Sequence, residues 1–339
     1  MSTVPVSGSE RDQFAAAVHD LLSGADVPAA ARRWADGDLA PGLALWRRLA
    51  ALGVTALAVP EKCGGLGASP LDLVVACEEL GHHALPGPVA ESLAAVPALL
   101  TGLADTGLAD TGEPPGAGGE WLAGLAAGDL IATLAMPPRL PFAADAGAAG
   151  LVLLAQEGAV YRARPGATHR SVDPARSLSE AHGGEVLARD AAEAAARALD
   201  LGALACSAQL LGAGRALLEA SVRHASVRAQ FGRPVGAFQA VKHKLADVAI
   251  GLEFARPLLD AAAVALADDA ATAGRDVSAA KVACADAAYR AARAALQVHG
   301  AIGYTAEHDL SLWLGKVRAL VPAWGSQAEH RARVVAGLA

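Results

Sequence analysis

The sequence predicts a mainly α-helical protein interrupted by a small β domain, on three observations. Hydrophobic residues make up 53% of the chain but aromatic residues only 4%, and the excess is Ala and Leu, the best helix formers. Apolar residues recur at helical spacing through about the first hundred positions and again from about 190 to the end. Between these stretches the periodicity lapses into short apolar pieces separated by turn residues, which is how strands read. At 339 residues the chain exceeds one average domain, so two or three folding units are expected.

Helical spacing predicts helices over 10–23, 29–52, 71–82 and 89–103. Paired glycines at 64–65 permit a tight loop, and Ser69 followed by Pro70 supplies an N-cap and a first helical residue for the third helix. From 105 to 120 Gly, Pro, Thr and Asp replace the periodic pattern, as in a linker, so an N-terminal helical domain is assigned to 1–117. A reduced middle β domain takes 118–190, with strand pieces at 130–136, 150–155, 158–162 and 185–188. So short a stretch leaves no room for a large sandwich or a barrel with an internal cavity. A C-terminal four-helix bundle over 191–339 follows, from long amphipathic segments at 190–228, 238–269, 275–300 and 307–320 and a last one at 326–337. Pro257 lies inside the second of these and should kink or divide it, because proline lacks the amide hydrogen that the helix needs.

Charge and composition exclude several function classes. A net charge of −7 leaves no basic field for a phosphate backbone, so no nucleic-acid partner is expected. Mean hydropathy is +0.33, yet each apolar run is broken within about 18 residues, so no membrane-spanning segment is expected. The N-terminus has neither the basic nor the apolar region of a secretory signal, which points to a cytoplasmic protein. Cys63, Cys77, Cys206 and Cys284 are widely separated and match no metal-ligand spacing, so they read as reduced structural thiols. His82, His83, His243, His299 and His308 include no i,i+4 pair with a carboxylate of the zinc-hydrolase kind, so no metal site is assigned. Lys242 and Lys244 flank His243 in a small basic cluster that suits either a CoA phosphate or a solvated helix face.

Two ordered motifs carry a resemblance. The first begins Arg-Ala-Gln-Phe-Gly-Arg-Pro-Val-Gly at 228 and runs to Asp247, and the second is Gln-Val-His-Gly-Ala-Ile-Gly-Tyr at 297–304. Together with Pro-Glu-Lys-Cys-Gly-Gly-Leu-Gly at 60–67 and Glu-Glu-Leu-Gly at 78–81, they resemble the acyl-CoA dehydrogenase family. The resemblance implies the same domain order as the periodicity. It also implies FAD as cofactor, α,β-desaturation of an acyl-CoA thioester as activity, and an electron-transferring flavoprotein as acceptor. By resemblance, Arg228, Gln230 and Phe231 contact an FAD bound mainly by a neighbouring subunit, and Gln239 faces the same cofactor. Arg suits this task because its guanidinium is a fixed fork of donors for phosphate. Gln297, Gly300 and Ala301, with Gly303, would form a second wall where small residues let the backbone approach phosphate. Ala301 departs from the family's glycine. Ordinary readings remain for each: a helix-terminal Arg, a turn-anchoring Phe, a surface Gln, a glycine C-cap.

What the chain lacks shapes the reading. Family members take the α-proton with a glutamate just before a Gly-Thr/Ser pair, and here that position is Trp324, ahead of Gly325 and Ser326. Indole has no acceptor for a proton. The alternative family position maps near Gly202, with Asp200 two residues off and so facing elsewhere on the helix; it is a weak candidate only. Glu307 matches a structural acid. The loop that holds the isoalloxazine in relatives has no counterpart after Met136-Pro-Pro138. No catalytic base is therefore assigned. The pattern fits the shorter subunit of a heteromeric, α2β2 enzyme like those of actinobacterial steroid side-chain degradation, completing the FAD site of a homologous catalytic partner. Two alternatives stand: a homo-oligomeric flavoenzyme with an altered base, such as Asp200 acting through water, and a non-catalytic scaffold or CoA-binding homologue.

Overall fold

The computed structural model describes residues 8–105 and 117–338. Helix α1 (Gly8–Ser23) packs on α4 (Pro70–His82), pinned by Arg11 donating to Asp72 at 2.7 Å. The start of α4 forms as the sequence implies: Ser69 caps it, Pro70 is its first residue, and the Asp72 carboxylate accepts the Ser69 amide at 3.0 Å. The helix expected over 29–52 is instead two, α2 (Val27–Ala35) and α3 (Ala40–Ala51), because Asp36-Gly37 ends the first. A wide turn over Glu91–Ala95 leads into α5 (Val96–Asp105).

Helix α6 (Ala117–Ala127) crosses position 118, where the sequence placed the domain boundary, and it packs with the N-terminal helices. Thr55 donates to the Ala126 carbonyl at 2.8 Å across that contact. Glycines at 118, 119 and 124 dilute its apolar pattern, which is why it reads as linker. Five strands follow: β1 (Ala132–Ala135), β2 (Ala143–Ala144), β3 (Leu151–Gln156), β4 (Ala159–Arg170) and β5 (Ser177–Ala188). They form one sheet in the order β1-β3-β4-β5-β2, with only β1 and β3 parallel. β4 and β5 extend well beyond the expected apolar pieces because their outer halves are exposed, polar and broken by register shifts.

The long helix α7 (Ala192–Val227) forms the centre of the molecule, flanked by α4, α8 (Gln239–Ala267), α9 (Ala273–His299) and α10 (Leu310–Leu320), with α11 (Gln327–Ala336) on α9. α4 and α7 meet backbone to backbone: a Cβ on Gly212 would lie 1.9 Å from the Glu78 carbonyl oxygen, and one on Gly81 would lie 2.1 Å from that of Gln209. Charge seals the same crossing, since Arg215 donates to Glu78 at 2.5 Å and to Glu79 at 3.0 Å, and Arg256 of α8 also grips Glu78. Two expectations change here. α7 is long and apolar enough to cross a bilayer, but 89% of its most apolar window is buried inside the protein, so neighbouring helices account for its apolarity. α8 is not divided at Pro257; both Pro257 and Glu253 are exposed, so water can take the carbonyl that the missing amide leaves free.

Candidate functional site

Two exposed turns meet at one end of the bundle. Arg228 caps α7, its amide donating to the His224 carbonyl at 2.9 Å. The chain then folds into a two-stranded hairpin, β6 (Ala229–Gln230) and β7 (Arg233–Pro234), closed by the Val235 amide on the Arg228 carbonyl at 2.8 Å. Phe231 (φ 53°) and Gly232 (φ 79°) are its central residues, and two successive positive φ angles are what a tight two-residue hairpin turn requires. The hairpin is braced from inside the chain: Arg233 sits 4.1 Å over the Phe238 ring, and Phe231 meets the same ring edge-on at 6.2 Å. Even so, Phe231 is 91% exposed, forgoing the roughly 1.5–3 kcal/mol that burying such a ring yields. Arg228 and Gln230 are exposed beside it, and Gln239 is exposed as the first residue of α8, whose N-terminal amides have no side-chain cap.

The second turn ends α9. Gly300 donates its amide to the Leu296 carbonyl and adopts φ 65°, ψ −140°, outside the basins of residues with a Cβ. The short turn Gly300–Tyr304 then leaves Gln297 and Ala301 exposed and Gly303 buried against His299 and Leu310. The turns are joined through packed imidazoles, His224 tilted over His299 at 4.3 Å and His299 edge-on to His308 at 5.4 Å. Burial, the nearby His308 and the Arg228 charge hold His224 below the usual imidazole range; burial does the same to His299.

Gln297, Gly300 and Ala301 continue into a groove of about 1620 Å³ between α8 and α9, walled also by Lys244, Arg290, Arg293 and Tyr304. Ala240, next to Gln239, lines its mouth, whereas Arg228, Gln230 and Phe231 stand outside its walls. Ile250, Phe254 and Leu258 project from successive turns of α8 along the groove, at 52%, 74% and 43% exposure, an apolar stripe left uncovered among the described residues.

The region around Trp324, where the resemblance leads a base to be expected, is tightly packed. Trp324 is 1% exposed and held at φ 64°, and its indole lies where a side chain on Gly202 would be: a Cβ there would be 2.2 Å from the ring. Trp324 and Gly202, the two positions at which the resemblance leads a glutamate to be expected, thus face each other, and indole fills the space between. His330 fastens the loop, its Nε2 donating to the Trp324 carbonyl at 3.0 Å and its Nδ1 meeting Ser278 at 3.1 Å. Burial and the Lys281 charge push His330 down to about 4, so the ring is neutral. Beside Gly325 a space of about 10 Å³, room for one water, adjoins a cleft of about 450 Å³ with which it shares Arg139, Leu199, Glu329 and Arg333. Asp200 is taken: Arg333 holds both its carboxylate oxygens, the second at 2.9 Å. The weak base candidate is thereby a buried half of an ion pair.

These residues fit FAD at one end only. The exposed Arg228 fork, the uncapped start of α8 and the glycine turn at Gly300 have the chemistry that would suit an adenosine diphosphate. At the other end Met136 pairs its backbone with Leu140, and Pro137 and Pro138 have no amide hydrogens to offer a flavin ring.

The family description "Acyl-CoA dehydrogenase, N-terminal domain" matches residues 8–129, and "Acyl-CoA dehydrogenase, C-terminal domain" matches residues 189–339. The acyl-CoA dehydrogenase IpdE2 of Mycobacterium tuberculosis is 32% identical over 313 residues, 90% of this chain and 89% of that protein. Among solved structures, the ChsE4-ChsE5 complex from Mycobacterium tuberculosis superposes with a TM-score of 0.81 at 22% identity, covering 99% of both chains. A glutaryl-CoA dehydrogenase from Mycobacterium smegmatis in complex with FADH2 gives 0.80 at 18%, covering 98% of this chain and 95% of that one. The fold is theirs: helical domain, middle sheet, helical bundle.

Proposed function

The chain belongs to the acyl-CoA dehydrogenase family, and we propose that within it this is the shorter subunit of an α2β2 enzyme, completing the FAD site of a homologous catalytic subunit. One observation carries the reading. The groups suited to the adenosine diphosphate end of FAD face outward at one end of the bundle, while the chain's own base position is filled by the buried indole of Trp324. Arg228, Gln230, Phe231 and Gln239 would hold that end of a cofactor seated in the partner, with Gln297, Gly300 and Ala301 along the adjoining groove. The uncovered stripe of Ile250, Phe254 and Leu258 is the surface on which the partner's bundle would pack.

When bound, FAD supplies the hydride acceptor for desaturation of an acyl-CoA thioester. This chain contributes positioning: a charge-assisted contact from Arg228 to phosphate, and an aromatic cover from Phe231 that excludes water. The α-proton goes to a carboxylate of the partner, because here Asp200 is paired with Arg333 and Trp324 cannot accept it. The same pairing weighs against a homo-oligomer using Asp200 as base.

The test is Arg228→Ala in the complex reconstituted with the longer homologous subunit proposed as its partner. FAD retention should fall at least about tenfold, as expected for a lost charge-assisted phosphate contact, while the two chains still copurify. Full FAD retention would remove Arg228 from the site.

A further inference from the structure

We infer that the cleft between α1, α4 and α7 binds a divalent metal ion of the Zn²⁺ class, with His19, Glu79, His82 and His83 as ligands. The sequence assigned no metal because it offered no His pair at i,i+4; the structure supplies instead Glu79, His82 and His83 at i, i+3 and i+4, on one face at the end of α4. His19 reaches them from α1. One ligand atom of each residue lies within 4.8 Å of the other three. Nδ1 of His19 is 2.9 Å from Oε2 of Glu79 and 3.3 Å from Nε2 of His83. A tetrahedral Zn²⁺ with bonds of about 2.0–2.1 Å sets its ligand atoms roughly 3.4 Å apart. Two edges of the polyhedron are therefore close to that spacing, and the others are no longer than 4.8 Å.

A second observation points to the same ligand. His82 is 8% exposed, and its Nδ1, cut off from solvent, has no hydrogen-bond partner. Leaving a polar atom so placed costs on the order of 1–3 kcal/mol, and a metal ion would satisfy it. The opposite nitrogen, Nε2, faces the Glu219 carboxylate at 3.1 Å. That contact makes Nε2 the protonated nitrogen and leaves Nδ1 with a lone pair, the carboxylate–histidine arrangement by which ligating imidazoles are oriented. Glu79 is held likewise: Oε1 accepts from Arg215 at 3.0 Å, so Oε2 is the oxygen left for an ion. Three imidazoles and one carboxylate are ordinary Zn²⁺ donors, and second carboxylates at Glu78 and Glu219 offset its charge. The half-exposed His19 gives the ion a route in from a cleft of about 620 Å³. A four-donor set closes the coordination sphere, so the ion is structural: it clamps α1 to α4 and, through Glu219, to α7.

The experiment uses the full-length chain without a polyhistidine tag, stripped with chelator, then titrated with Zn²⁺ and Co²⁺. Expected are one Zn²⁺ per chain with Kd of about 1 μM or tighter, an intense visible band from four-coordinate Co²⁺, and a thermal midpoint raised by about 2 °C or more. His82→Ala should weaken binding at least about tenfold, whereas His169→Ala on the sheet should not. If His82→Ala does not fold, His19→Ala, at the exposed side of the cluster, is measured in the same way. Absence of stoichiometric binding below about 100 μM, or equal affinity in the histidine variants and the parent, overturns the site.

Discussion

Trp324 is among the most deeply buried side chains of the fold, packed directly on Gly202. Removing its buried indole opens a cavity against Gly202, so Trp324→Ala should cost about 3–5 kcal/mol in denaturant unfolding. It should leave the dehydrogenase activity of the folded complex intact, because the space it vacates carries no base. His330, which holds the same loop, sets a pH dependence. Its folded value near 4 lies below the ordinary imidazole value of 6.5, so between the two the unfolded chain binds more protons than the folded one. Stability contributed by the neutral ring is present above pH 6.5 and lost as pH falls toward 4; His330→Gln should flatten that slope in denaturant midpoints measured across the window. The sequence made the absence of a glutamate at 324 legible, since identity alone excludes indole as a base. It did not show that Asp200 is spoken for, because Arg333 meets it only after the chain has folded over 133 positions.

At the scale of elements, the signals that survived were local ones. Ser69-Pro70 marks the start of α4 because capping chemistry lies within four residues, and the turn at 228–232 is legible because positive φ selects its glycine. Elements that failed to read were those stabilised from a distance. α6 is dilute in apolar residues and held by α3, α5 and the Thr55 contact, while the outer halves of β4 and β5 are polar and held by pairing to each other and, for β5, to β2. The cluster of His19 with the end of α4 likewise needs α1 to be folded back. Two element-level outcomes follow. Gly212→Ala should destabilise by about 1–3 kcal/mol in equilibrium unfolding, because its Cβ would meet the Glu78 carbonyl at 1.9 Å where α4 and α7 touch. Gly232→Val strains only the exposed hairpin, so it should lower FAD retention in the complex while global stability moves by no more than about 1–2 kcal/mol.

Over the whole molecule, one face is finished and another is not. The space beside Gly202 is filled by the buried indole of Trp324 and Asp200 is paired with Arg333, whereas the α8–α9 groove presents an apolar stripe and the neighbouring hairpin exposes Phe231 and Arg228. Phe254→Asp, a charge placed in the middle of that stripe, should abolish association with the longer homologue in size-exclusion chromatography without unfolding the chain, since Phe254 is 74% exposed. The measurement that bears most directly on the half-site account is flavin content and acyl-CoA desaturation of this chain purified alone, set beside the same chain purified with its longer neighbour. The account predicts a colourless, inactive protein alone and a yellow, active complex with one FAD for each pair of unlike chains. Stoichiometric FAD and desaturation by this chain by itself would contradict it.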